Sequence, residues 1–404
     1  MQLASVPSPA VAPDPFAPAP LGPITLRNRI IKAATFEGMT PDNIPTPQLI
    51  DYHLAVARGG VGMTTVAFSA VSRDARGAPG ELVLSEQAVP GLTQLASAVH
   101  ETGAKVSVQL GHAGPVASAA GYRGWSPSPY FSPVTFRRTK ALDDADIERV
   151  TADFVATARR AVDAGVDAIE VHLGHHYLLS AFLSPRLNRR TDNWGGTVER
   201  RAAFPRRVVR AIRDAVGTEL AITAKLNMTD GVKNGLTVEQ SIATAKLLES
   251  DGCLDALQLT GGGSLLNPMY LFRGDAPVGE MAQIMKPWMR PAFKLVGKRF
   301  FKTYPFEEAF FREYALRFRT ELKMPLILLG GINERATIDR AMDDGFEFVA
   351  MARALLKEPD LVNRMQAGET DKGSCIHCNQ CVPSIYSGTH CVLVPASERP
   401  GLRV

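Results

Sequence analysis

Short apolar runs rich in β-branched residues alternate along most of the chain with longer segments of helical period. Eight such runs are counted, at 29–34, 62–67, 105–110, 166–172, 221–226, 255–260, 325–329 and 346–351. Between them, 46–58, 91–102, 144–164, 197–216, 237–250 and 334–343 repeat apolar positions every three to four residues, as a helix packed on one face requires. Asp144, Thr197 and Thr237 stand where a helix would be capped, and Gln240 three positions after Thr237 completes a capping box. Strand and helix in strict alternation build a parallel sheet, and eight units close it into an α/β fold, the (β/α)8 TIM barrel. The chemistry of that fold lies at the C-terminal ends of the strands, so functional residues are expected just after each run.

Two segments break the rhythm. Residues 261–324, between the sixth and seventh runs, are rich in aromatic and basic residues (KPWMRPAFKLVGKRFFKTYPFEEAFF) and form a long insertion. Connections of this length are lids, subdomains or partner surfaces, or helices packed outside the barrel. Tyr270, Phe272 and Arg273 are expected at the entrance to the site. A membrane-surface helix is the weaker alternative, because the basic residues do not fall on one face. The second break is a cysteine-rich stretch. The organisation expected is a Pro/Ala-rich lead at 1–20, a barrel at 21–368 and a C-terminal extension at 369–404.

Composition narrows the function. The 404 residues are 45% hydrophobic and 21% charged, enough to bury a large core. Forty-five basic against 41 acidic residues leave a net charge of +4, far from the excess of a surface that tracks nucleic-acid phosphates. No run of 18 apolar residues offers a membrane span, and the start of the chain lacks the basic and apolar regions of a signal peptide. A cytoplasmic protein with a small-molecule partner is expected, with neither nucleic acid nor membrane, and a homo-oligomer is compatible with the sequence. No GxGxxG follows a strand and opens a helix, so a separate dinucleotide-binding domain is not expected.

The densest chemistry follows the fourth run, in VHLGHHYLLSAFLSPRLNRRTDNWGG. His172 leaves the strand at the barrel mouth, and His175 and Tyr177 follow within a turn. Two imidazoles aimed at one oxygen can donate to charge that develops there, and a phenol can deliver a proton. One such histidine is more often a core residue, but three such groups within six positions at a strand end point to a site.

This stretch resembles the old yellow enzyme family, whose members carry His-x-x-His-x-Tyr, then Phe-Leu-Ser-Pro, then Arg-Thr-Asp and a Gly-Gly pair. Here these are His172, His175 and Tyr177, FLSP at 182–185, RTD at 190–192, and Gly195 with Gly196. Further anchors are LRNRIIKAAT, VQLGHAG, LGGI and MARALL at other strand ends. The resemblance implies FMN as cofactor, NADH or NADPH as reductant, and reduction of an electrophilic alkene. It implies that Ala34 and Thr35 face the flavin, that Gln109 bonds its pyrimidine ring, and that Gly330, Gly331, Ala352 and Arg353 hold the phosphate. Glycine amides and a cation after strands seven and eight also suit a phosphate on physical grounds. His172 and His175 would hold the acceptor's oxygen and Tyr177 would protonate the α-carbon.

Where the family usually has an arginine beside the flavin, this chain has Lys225, which keeps the charge but loses the planar fork. A lysine inside a barrel has a competing reading as an aldolase Schiff-base nucleophile, but that leaves the histidines, Tyr177 and the glycine loops without joint purpose. A non-enzymatic flavin- or metal-binding module is disfavoured for the same reason.

The tail holds Cys375, Cys378, Cys381 and Cys391. Spacing of two residues between cysteines fits ligation of a 4Fe-4S cluster or of zinc, with His377 or His390 assisting the zinc, and unligated thiols are the third alternative. The first three resemble the cluster motif of the trimethylamine dehydrogenase and dienoyl-CoA reductase group, although the last interval is shorter and the nucleotide-binding domains of that group are not expected here. A cluster would imply electron exchange with a separate partner. Cys253 is expected in the core.

Overall fold

The computed structural model describes residues 12–117, 123–132, 135, 137–283 and 287–401. Residues 1–11 of the expected Pro/Ala lead lie outside this set. Eight parallel strands close into a barrel: β1 (Ile30–Lys32), β2 (Met63–Ala70), β3 (Lys105–Gly111), β4 (Ala168–Leu173), β5 (Ala221–Asn227), β6 (Ala256–Thr260), β7 (Leu326–Leu329) and β8 (Phe348–Met351), with β8 pairing β1 and β1 pairing β2. Crossover helices cover the outside: α1 (Pro47–Arg58), α2 (Val89–His100), α3 (Asp144–Asp163), α4 (Val198–Val216), α5 (Val238–Asp251), α6 (Arg312–Arg319) and α7 (Arg335–Asp343). Thr46, Thr197 and Thr237 cap α1, α4 and α5, the last in a capping box with Gln240. At α3 the cap is Asp143 and not Asp144, because the Asp143 carboxylate accepts from the amide of Asp146, which bonds back to it.

The 261–324 segment is less of a loop than its composition suggested. Its end is α6, the ordinary crossover into β7, and before it come short helices at Pro268–Phe272, Val278–Gln283 and Arg290–Phe300; residues 284–286 lie outside the described set. No described helix is long and apolar enough to cross a membrane.

Side chains on a strand alternate faces, so every second residue points into the barrel. The lowest inward layer is apolar: Ala168, Ala221, Ala256, Ile327 and Phe348 pack with Ala19, Leu21 and Leu26 of a hairpin that plugs the N-terminal mouth. Two residues further along β4, β5 and β6 the inward positions become Glu170, Thr223 and Gln258, and two further His172, Lys225 and Thr260. The barrel is thus greasy at its base and polar towards its C-terminal mouth, where the cavity opens.

Candidate active site

A cavity of about 390 Å³ occupies the C-terminal mouth. All eleven residues singled out for catalysis or flavin binding line it. His172, His175 and Tyr177 come from the end of β4, Ala34 and Thr35 follow β1, and Gln109 and Lys225 stand on β3 and β5. Gly330, Gly331, Ala352 and Arg353 follow β7 and β8.

The β4 end converges as expected. The rings of His172 and His175 are 5.0 Å apart, and Tyr177 lies 4.7 Å from His172 and 4.9 Å from Phe68. His175 reaches this position through a left-handed backbone (φ 62°), held by its amide donating to Asn227 Oδ1 at 3.1 Å. Its Nε2 lies 3.0 Å from Thr260 Oγ1, whereas His172 Nδ1 is buried without a partner among the described residues. Burial pushes both imidazoles well below the ordinary histidine value, helped at His172 by His175 and Lys225 and at His175 by Lys225 and His176. Both are therefore neutral at pH 7 and donate through one N–H each. His176, between His175 and Tyr177 in sequence, turns away and sits 3.3 Å from the buried carboxylate of Asp230, a structural contact.

On β4 itself and the strands that flank it, Gln109 Nε2 donates to Glu170 Oε1 at 2.6 Å, Lys225 Nζ lies 3.0 Å from the same oxygen, and Gln258 Nε2, from β6, donates to Glu170 Oε2 at 2.8 Å. Lys225 is thus held by a carboxylate and not by an apolar pocket, which is not the setting of a Schiff-base lysine. Glu170 and Gln258 were missed in the sequence, although Glu170 shares the inward phase of His172.

At the far end Gly330 (φ 110°) and Gly331 (φ 74°) adopt conformations that favour glycine. A Cβ on Gly331 would also stand 2.6 Å from Phe310. Arg353 is fixed by the carbonyls of Phe272 and Arg273 and by the side chain of Asn379. A cavity lined by amide and ammonium groups of β3 and β5 and by glycines with a guanidinium after β7 and β8 fits FMN. Ala34, Leu329 and Met351 add apolar wall for a ring system.

The loop after β6 and the tail close the site in ways the sequence did not reveal. Phe272 lines the cavity, but Tyr270 and Arg273 do not; the Arg273 guanidinium stacks over Tyr270, Tyr304 and Phe310 at 4.7, 4.9 and 5.5 Å. His377, Cys381, Val382, Ile385 and Thr389 of the tail also line it, anchored by Thr389 bonding the carbonyls of Phe36 and Glu37.

Cys375, Cys378, Cys381 and Cys391 are free thiols that together line a second, small cavity beside the first, with Arg353, Leu356, His377 and Cys381 shared by both. Among the described residues no three His, Cys, Asp or Glu side chains are grouped to hold a single metal ion. Burial pushes the Cys381 thiol up to about 12. Cys253 is buried in the core.

The sequence profile of the NADH:flavin oxidoreductase / NADH oxidase family matches residues 14–255. A 4,4′-dithiodibutanoate disulfide reductase of Rhodococcus erythropolis is 54% identical over 386 residues, covering 95% of this chain and 96% of that protein. A metal reductase of Desulforamulus reducens is 30% identical over 92% of this chain, which spans only 52% of its length. Among solved structures, a 2-naphthoyl-CoA reductase complex superposes with a TM-score of 0.80 at 23% identity, over 94% of this chain and 57% of the other. The fold, the cavity and these relationships together place the chain in the NADH:flavin oxidoreductase / NADH oxidase family, that of old yellow enzyme, as an FMN-dependent oxidoreductase using NADH or NADPH.

Proposed function

We propose that the protein reduces the electron-poor carbon–carbon double bonds of α,β-unsaturated carbonyl-type compounds. The observation that carries this reading is the meeting of His172, His175 and Tyr177 in the same cavity as the flavin-binding residues. FMN, when bound, accepts a hydride from the nicotinamide and passes it to the acceptor. His172 and His175, both neutral, donate to the acceptor's carbonyl oxygen, where negative charge grows as hydride reaches the β-carbon. Tyr177 gives its proton to the α-carbon, so the double bond gains one hydride and one proton. Gln109 and Lys225 hold the pyrimidine edge of the flavin, and Gly330, Gly331, Ala352 and Arg353 its phosphate.

A second acceptor class is favoured by the Rhodococcus relative, which is similar over nearly the full length of both chains and is named for a disulfide. In that case the S–S bond breaks and two thiols form, at the expense of one NAD(P)H and one proton. Anaerobic protein reduced by one equivalent of nicotinamide and then mixed with a cyclic enone or with 4,4′-dithiodibutanoate separates the two. Reoxidation of the flavin by the enone supports alkene reduction; reoxidation by the disulfide alone would overturn it in favour of the second class.

A further inference from the structure

Glu170 is a carboxylate in the middle of a barrel strand, only 3% exposed, level with Gln109 and one inward position before Lys225, both assigned to the flavin. Burying such a group is costly unless its oxygens are fully bonded. Three donors do this: Gln109 at 2.6 Å and Lys225 at 3.0 Å on one oxygen, and Gln258 at 2.8 Å on the other. Gln258 does not line the cavity; its amide nitrogen donates to Glu170.

A carboxylate only accepts, so Gln109 must turn its NH2 towards Glu170. Its carbonyl oxygen is then the group left to accept from the ring N–H of a flavin pyrimidine. One N–H of the Lys225 ammonium is directed to Glu170, leaving the others for the neighbouring flavin oxygen. The charge beneath the pyrimidine is consequently that of a Lys–Glu pair, close to zero, and not that of a lone cation.

We propose that Glu170 is a positioning residue of the flavin site: it fixes the amide of Gln109 for the pyrimidine edge and offsets the charge of Lys225, holding the bound flavin's midpoint potential below that of an unopposed lysine. The proposal rests on Gln109 and Lys225 being flavin contacts.

The test is a double-mutant cycle on FMN-loaded protein, comparing Glu170→Gln, Lys225→Met and the double variant by midpoint potential and by FMN dissociation constant. Glu170→Gln should raise the potential by a tenfold change in the two-electron equilibrium, about 30 mV, and weaken FMN binding. In the Lys225→Met background the same change should move the potential by less than half as much. Glu170→Asp keeps the charge and should hold the potential near the wild-type value while loosening FMN, an outcome that a purely structural role would not give. An unaltered potential in Glu170→Gln, or an equal shift in both backgrounds, overturns the proposal. Should Glu170→Gln not fold, an Asp variant whose potential rises as FMN loosens overturns it equally. If Lys225→Met alone changes neither quantity, Lys225 is not a flavin contact, and it is that reading that fails.

Discussion

Replacing Tyr177 by phenylalanine removes one O–H and little else. The ring contacts to Phe68 at 4.9 Å and His172 at 4.7 Å survive, so packing beside the flavin is retained. Loss of a positioned general acid costs roughly 10²- to 10⁴-fold, about 2.7–5.4 kcal/mol of barrier. The cavity of about 390 Å³ is much larger than one water molecule, so solvent can reach the vacated position and supply a proton at lower efficiency. The loss should therefore fall near the low end, about a hundredfold. Anaerobic stopped-flow measurement of the two half-reactions reads it directly: reduction of the flavin by NAD(P)H should be unchanged, and reoxidation by an enone about a hundred times slower. A disulfide acceptor should feel the change much less, because thiolates with a pKa near 8.5 leave without protonation. Equal slowing of both half-reactions, or a loss of less than tenfold with the enone, would refute the role given to Tyr177.

Other expectations follow from the same geometry. Because His172 and His175 are both held well below the ordinary histidine value, kcat/KM for the alkene should show no inflection from the pair between pH 6 and 8; a clear single-proton step that vanishes in His172→Ala would contradict their neutrality. The unfolded chain binds more protons at these histidines as pH falls through about 6.5, so apo-protein stability contributed by them is lost on acidification, and the urea midpoint of His172→Ala should depend less on pH across that range. Glu81, buried and pushed up to about 8 by desolvation, works in the opposite sense: its contribution is full below about 4.5 and lost as pH rises through 8, so the Tm of Glu81→Gln relative to wild type should climb between pH 5 and 9. Gly331→Ala places a side chain at φ 74° and 2.6 Å from Phe310, which should cost about 1–3 kcal/mol and show as reduced FMN retention on gel filtration. Iron and sulfide analysis of anaerobically purified protein tests the cysteine cluster: four of each per chain, lost in Cys378→Ser, is the result expected of a 4Fe-4S site.

Much of this was legible in the sequence because barrel strands announce themselves as short apolar runs, and the β4 stretch packs its chemistry into six consecutive positions. What stayed hidden depends on contacts that cross the fold. The crossover helix α6 lies in a segment whose aromatic and basic residues mask its helical period, so it was not singled out from the long insertion, for which helices outside the barrel were one of several readings. Glu170 looks like an ordinary polar residue until β3, β5 and β6 bring Gln109, Lys225 and Gln258 around it. Nothing local in the tail reveals that Thr389 reaches back to the carbonyls of Phe36 and Glu37, more than 350 positions away, and so places Cys381 on the cavity wall. Arg273 was expected at the entrance because it lies in the long insertion after β6; its stacking on Tyr270, Tyr304 and Phe310, drawn from both ends of that insertion, holds it off the cavity wall.

The most direct measurement is the visible spectrum of the purified protein through one anaerobic cycle of NADH or NADPH followed by one equivalent of a cyclic enone. An oxidised FMN spectrum that bleaches with the nicotinamide and returns with the enone, with the saturated ketone formed in equal amount, is the expected result. A protein that binds no FMN, or whose reduced flavin is untouched by any enone, would contradict the assignment.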